Sequence, residues 1–359
     1  MGVRLLVGTE KGLFTLDSDD RRSVWQVREP AHSGWQVYSL FADERRNNPA
    51  VFVGLSSPVY GAHLQRSDDC GRTWEPIEAS PRFPEGSQRE LKQVWAVQAG
   101  SRPEILWAGV SHAALFRSDD SGATWTMNDA LEAHPTRERW LPGAGGLCLH
   151  TIVQDPSDPE RLFIGISAVG VFRSDDGGRS WTIKNQGVGA VFEDEERKYG
   201  EVNRCVHKFV QDPTEPNRLY QQNHTGVYRS LDAGDSWERI EDGLPGGFGF
   251  PIVMHPRRPR TLFVVPQESD QVRMFPGGRA GVYRTDDAGD SWRRTHAGLD
   301  DPNYGGVLRN AMSADGEDQP GIYFGTTGGH VYATFDDGEL WTRLPGTFPR
   351  VESLAAIRV

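Results

Sequence analysis

An eight-residue phrase that returns along the chain constrains the fold more than any other feature. Ser67-Asp68-Asp69-Cys70-Gly71-Arg72-Thr73-Trp74 recurs at 118–125, 174–181, 230–237, 285–292 and 334–341, with a worn copy at 18–25. The tryptophans that end it stand at 25, 74, 125, 181, 237, 292 and 341, a period of 49 to 56 residues. Self-similarity at that period signals a propeller or solenoid array, in which each repeat is one small supersecondary unit. A length of 359 residues would ordinarily suggest two domains, but the repeat predicts a single domain, 1–359, built from seven like units.

Residues 147–184 show one unit most clearly. Leu149-His150-Thr151-Ile152-Val153 is a β-branched run ending at the turn signal Asp155-Pro156, and 161–166 and 170–174 are two further apolar runs. The phrase then turns into Trp181-Thr182-Ile183. Short runs punctuated by Gly, Pro and Asp read as four antiparallel strands, the blade of a propeller. The predicted fold is therefore all-β: a seven-bladed β-propeller with four antiparallel strands per blade. Its blades fall at about 1–28 with 351–359, 35–78, 92–128, 147–184, 203–240, 248–296 and 306–344. Blade one has only three strands at the N-terminus, whereas 351–359 is a strand with no blade after it, so the C-terminal strand is expected to complete blade one. Such closure removes exposed sheet edges. In the phrase itself, Asp and Ser accept turn N–H groups, Gly supplies a positive φ and Trp covers the apolar face, so the repeated aspartates read as structural.

This phrase is the Asp-box, or bacterial neuraminidase repeat, and the chain resembles the Asp-box propeller superfamily over nearly its whole length. That group includes sialidases, two-propeller xyloglucanases, the sortilin ectodomain and a photosystem II assembly factor. The resemblance implies the fold, while for function it spans hydrolases, receptors and assembly factors. Sialidases carry six blades and an Arg-Ile-Pro-like motif ahead of the first box. Here Arg4-Leu5-Leu6 has no proline and the repeats number seven, which points away from a true sialidase. Xyloglucanases hold substrate between two propellers, and this chain has the length of one.

Formal charge is −11, from 39 basic and 50 acidic residues. That balance opposes the electrostatics of nucleic-acid and anionic-membrane binding, so neither partner is expected. No apolar run is long enough to span a membrane, the first residues do not form a signal peptide, and three cysteines are too few for a disulfide framework. A soluble, cytoplasmic protein is expected. Phosphate-binding loops, dinucleotide fingerprints, Gly-x-Ser-x-Gly elbows and His-Glu-x-x-His motifs are missing from the sequence, so no nucleotide cofactor is expected.

Ligand chemistry is expected where the D-to-A and B-to-C connections meet around a central channel. The long D-to-A segments 75–91, 126–146 and 184–202, with 134–140 and 192–199 as their richest parts, point to function or lid behaviour. Aligning the seven blades near the start of strand A gives Glu352, Tyr38, Trp95, His150, His207, Phe250 and Arg309, where a purely structural repeat would place like apolar residues. The B-to-C connections add Glu10, His224 and Gln267. His150, His207, His224 and Gln267 come from blades four, five and six and suit a divalent metal such as Zn, Mn or Fe. The Cys148/His150 and Cys205/His207 pairs match one another as a duplication would make them.

The expectation is an enzyme acting on a small polar or carbohydrate-like molecule at the channel mouth by lyase or hydrolase chemistry, in one form metal-assisted. Arg309 binds or polarises an anionic group, Glu352, His150 or His207 moves a proton, and Tyr38, Trp95 and Phe250 stack on the ligand, with His224, Gln267 and Glu10 beside it. The alternative is a non-catalytic propeller that binds a protein or peptide, as a scaffold or assembly factor.

Overall fold

The computed structural model describes residues 2–45, 49–190 and 201–359, so the acidic stretch 192–199 lies outside the described residues. The strands form seven four-stranded antiparallel sheets, and the fold is a seven-bladed β-propeller with almost no helix. Contacts gather the chain into two compact units. One comprises Met1–Leu40, Gln222–Val227 and Ile240–Val359, the other Phe41–Gln221 and Tyr228–Arg239.

In the first unit, blade one orders its strands Val351–Arg358, Val3–Thr9, Gly12–Ser18 and Trp25–Val27. The C-terminal strand pairs antiparallel with the first, from Val3 opposite Arg358 to Thr9 opposite Val351, so the expected completion of blade one is found. Gly8 makes that closure sterically feasible, because a Cβ there would stand 2.2 Å from Ser353 Oγ and 2.5 Å from the Val37 carbonyl. Blade six contains Gly249–His255, Arg258–Pro266, Val282–Thr285 and Arg293–Thr295. Blade seven contains Met312–Ala314, Ile322–Gly325, Val331–Thr334 and Thr342–Arg343. Their inward residues, among them Leu5, Val265, Phe324, Tyr332 and Trp341, share one buried cluster.

The second unit holds blades three and four and most of blades two and five, with three smaller apolar clusters. In blade four, Ser174 Oγ accepts the Gly178 N–H and donates to Asp176 Oδ1, both at 2.8 Å. Asp176 in turn takes the Ser180 N–H at 2.9 Å and its O–H at 2.6 Å, while Gly178 sits at φ 89°. Blades two, three, five and six repeat this net. In blade seven Leu340 supplies only its N–H.

The tryptophans do more than cover their own blades. Trp181 Nε1 donates to Asn128 Oδ1 at 3.1 Å and Trp237 Nε1 to the Lys184 carbonyl at 2.9 Å. Trp341 Nε1 reaches Thr295 Oγ1 at 3.2 Å. Each indole thus ties its blade to the outer strand region of the preceding one.

The segment 126–146, expected as a ligand-facing loop, contains a helical turn Asp129–Glu132 and a 3-10 turn Arg137–Arg139. Trp140 within it is core: its Nε1 donates to Thr136 Oγ1 at 2.8 Å and its ring centroid lies 5.2 Å from that of Phe172. Among the described residues no helix is long and apolar enough to cross a membrane. Cys70, Cys148 and Cys205 are free thiols.

Candidate functional site

Six of the seven aligned positions fall within the first three residues of a blade's innermost strand: Tyr38, Trp95, His150, His207, Phe250 and Glu352. Arg309 does not, because the first strand of blade seven begins only at Met312. The residues before that strand are free of the sheet's alternation, and the Arg309 side chain turns instead towards Tyr38.

In the first unit these side chains form a continuous constellation. Buried Arg309 donates from Nη1 to the Tyr38 hydroxyl at 3.2 Å, and its guanidinium lies 5.9 Å from the Phe250 ring. Arg273 approaches the same ring at 5.4 Å. Phe248 meets Phe250 edge to face at 5.3 Å and meets the His224 ring at 5.1 Å. His224 Nε2 stands 3.8 Å from Asp270 Oδ2. Burial pushes the His224 imidazole below its ordinary pKa, with Asp270 opposing and Arg273 assisting, so the ring is neutral at pH 7.

Glu352 belongs to the same unit and is only 4% exposed. Gln36, two residues before Tyr38, donates from Nε2 to Glu352 Oε1 at 2.9 Å. Glu352 Oε2 is buried without a hydrogen-bond partner among the described residues. Burial raises this carboxyl above the ordinary carboxylate range, the Gln36 hydrogen bond and Arg350 offset part of the rise, and Glu10 adds to it. Gln267 donates from Nε2 to the Val307 carbonyl at 2.8 Å, and its buried Oε1 has no hydrogen-bond partner among the described residues.

The second unit holds the remaining candidates. His150 Nε2 lies 3.0 Å from the Val206 carbonyl and Nδ1 lies 2.9 Å from Thr151 Oγ1. A carbonyl only accepts, so Nε2 carries the proton and Nδ1 accepts the hydroxyl. Both nitrogens of His150 are therefore engaged, Nε2 with the innermost strand of the next blade and Nδ1 within its own strand. Trp95 is buried beside Gly145, its ring 3.8 Å from where a Cβ on that glycine would stand. In blade five, Cys205 immediately precedes the innermost strand, which carries His207 as its second residue.

Sequence reasoning missed Gln36, Asp270 and Arg273. Gln36 was signalled by its place two residues before Tyr38, on the same strand face. Asp270 and Arg273 sit in the long connection 267–281 of blade six, whose length is visible in the sequence.

No family model matches the chain. A xyloglucanase from Paenibacillus sp is 24% identical over 280 residues, covering 67% of this chain and 25% of that protein, so the chain spans about a quarter of that relative's length. Among solved structures, an ancestral GH74 enzyme aligns with a TM-score of 0.56 at 18% identity, over 86% of this chain and 38% of that one. YCF48 from Cyanidioschyzon merolae aligns with a TM-score of 0.53 at 15% identity, over 89% and 87% of the two chains. These two structural likenesses establish the fold alone.

Proposed function

We propose that the protein is an enzyme that acts on a small polar or carbohydrate-like ligand by general acid/base chemistry of the lyase or hydrolase kind, with Glu352 as the proton-carrying group. The observation that carries this reading is the Glu352 carboxyl: one oxygen fixed by Gln36, the other buried and unpartnered, and a pKa raised chiefly by burial. A carboxyl held in that state keeps a proton closer to neutral pH and delivers it to a leaving group, as a general acid must. Arg309, fixed by Tyr38, supplies a cation for an anionic group of the ligand, and the faces of Phe250 and Tyr38 supply stacking area.

In the metal-assisted form of the same reading, Cys205 and His207 of blade five would supply a thiolate and an imidazole to a zinc ion. Zinc in stoichiometric amount is expected in protein purified without chelator or affinity metal, and lost in Cys205→Ser. Absence of zinc from both would remove the metal from the mechanism.

The catalytic reading is tested by turnover of a panel of aryl glycosides and uronate-containing oligosaccharides across pH. The general acid works protonated, so activity is expected to fall as pH rises through the raised pKa, and Glu352→Gln is expected to lose about 100-fold or more in turnover. A Glu352→Gln protein with unchanged turnover would overturn the assignment. Specific capture of a peptide partner without turnover of any compound would favour the non-catalytic propeller.

A further inference from the structure

A second polar cleft lies in the first unit, formed by the connection that leads to Arg309 and by the central hairpin of blade seven. Its volume is about 400 Å³ and its lining includes Asp300, Asn303, Tyr304, Thr327 and His330. That size lies within the range of about 300–1,000 Å³ typical of small-molecule sites.

Tyr304 is 66% exposed yet firmly seated. Its ring presses on buried Gly278, where a Cβ would stand 2.7 Å from Tyr304 Cε1, and the neighbouring Asn303 N–H donates to the Gly278 carbonyl at 2.7 Å. The outer face of the ring is thus a fixed aromatic platform beside the cleft.

The polar groups around it are oriented by bonds made behind the cleft. Asp300 Oδ2 accepts the Tyr332 hydroxyl at 2.6 Å and lies 3.4 Å from Arg343 and 3.6 Å from His330 Nδ1. Among the described residues no hydrogen bond ends on its Oδ1, so that oxygen remains an acceptor with its charge already compensated. Asn303 Oδ1 takes the Gly305 N–H at 2.9 Å, which leaves its Nδ2 as a donor. Thr327 Oγ1 takes the Gly306 N–H at 3.0 Å, which leaves its hydroxyl proton to donate.

We infer that this cleft binds a polyhydroxylated ring, with an adjacent pair of hydroxyls between Asp300 and Asn303 and a C–H face on Tyr304. A hydroxyl is both donor and acceptor, so a vicinal pair satisfies an acceptor and two donors together. A simple anion would face the carboxylate, and an apolar ligand would leave all three groups desolvated without partners. The aromatic platform favours a ring with a C–H face over an extended polyol. The cleft extends the proposed function by giving a longer ligand a second point of attachment near Arg309.

The test is a titration of the full chain with neutral methyl pyranosides and with myo-inositol, read in NMR spectra by the backbone amide resonances of Gly305 and Thr327 in every variant and by the ring resonances of Tyr304 where that ring is present. Saturable shifts at millimolar ligand are expected. Tyr304→Ala is expected to weaken binding about two- to tenfold, the effect of losing one aromatic face. Asn303→Asp keeps the acceptor for the Gly305 N–H but removes the donor, and is expected to weaken binding while leaving the thermal midpoint unchanged. The titration needs no turnover, so Glu352→Gln is expected to bind as the parent does, which separates failure of this inference from failure of the catalytic reading. Tyr304 resonances that respond to no ring, or that respond to inorganic phosphate or acetate instead, would overturn it, as would undiminished binding by both Tyr304→Ala and Asn303→Asp.

Discussion

Asp176 shows how a carboxylate inside a repeated phrase can be assigned to structure from its bonds alone. Burial pushes its pKa up, but the hydrogen bonds from Ser180 and Ser174 outweigh that effect and bring it to about 2. A group whose pKa is depressed on folding contributes stability above its unfolded value near 4, and that contribution is lost as pH falls through about 2. Asp176→Ala is therefore expected to lower stability by about 1–3 kcal/mol at pH 7, the cost of stranding turn donors, with the difference from the parent shrinking in acid. Denaturant melts of both proteins between neutral and strongly acidic pH check this. A folded Asp176→Ala protein that lost turnover or sugar binding would place the aspartate in the chemistry instead. Glu352 shows the opposite balance, because a single side-chain donor does not compensate its burial. The sequence marks both residues as carboxylates at repeat positions, and only the count of donors around each separates a turn anchor from a proton carrier.

At the scale of elements, Asn128 carries several of the polar contacts that join blades three and four. Its Oδ1 accepts the Trp181 indole N–H at 3.1 Å and the Leu131 N–H at 2.9 Å, while its Nδ2 donates to the Gly178 carbonyl at 2.8 Å. One side chain therefore caps the helical turn Asp129–Glu132, fixes the blade-four tryptophan and holds that blade's turn. Asn128→Ala is expected to cost about 1–3 kcal/mol, combining a lost cap with unpaired buried groups. Asn128→Asp, which keeps both acceptor bonds, is expected to recover part of that loss. Equal destabilisation by the two would show that the donor to Gly178 dominates. The phrase revealed where the tryptophans lie, but not that the N–H groups of Trp181, Trp237, Trp292 and Trp341 reach the preceding blade while that of Trp125 bonds within its own turn. That contact depends on how far each connection advances the chain, a quantity that local pattern does not encode. The same limit explains Arg309: counting back from the turn placed it on a strand, whereas blade seven begins its strand later.

For the whole molecule, blade number, strands per blade and completion of blade one were all legible, because each follows from counting repeats and finding a strand without a blade. The site was legible only as a set of positions. Tyr38, Phe250 and Arg309 do converge, but Gln36, Asp270 and the Tyr304 cleft emerge only once the connections are folded. The completion of blade one also makes the sharpest demand on the fold. Strand Val351–Arg358 pairs along the full length of Val3–Thr9, adds Val351 and Leu354 to the core and carries Glu352. Removing residues 351–359 would expose Val3–Thr9 as a long apolar edge, a template for association with other chains. The truncated protein is expected to aggregate on gel filtration, and a synthetic peptide of residues 351–359 is expected to restore the elution position of the parent by adding the missing strand. Glu352→Gln within that peptide should restore the fold without turnover, which separates the strand's structural part from its chemical one. A truncated chain that eluted as the parent does, with an unchanged melting temperature, would show that blade one is stable without its C-terminal strand.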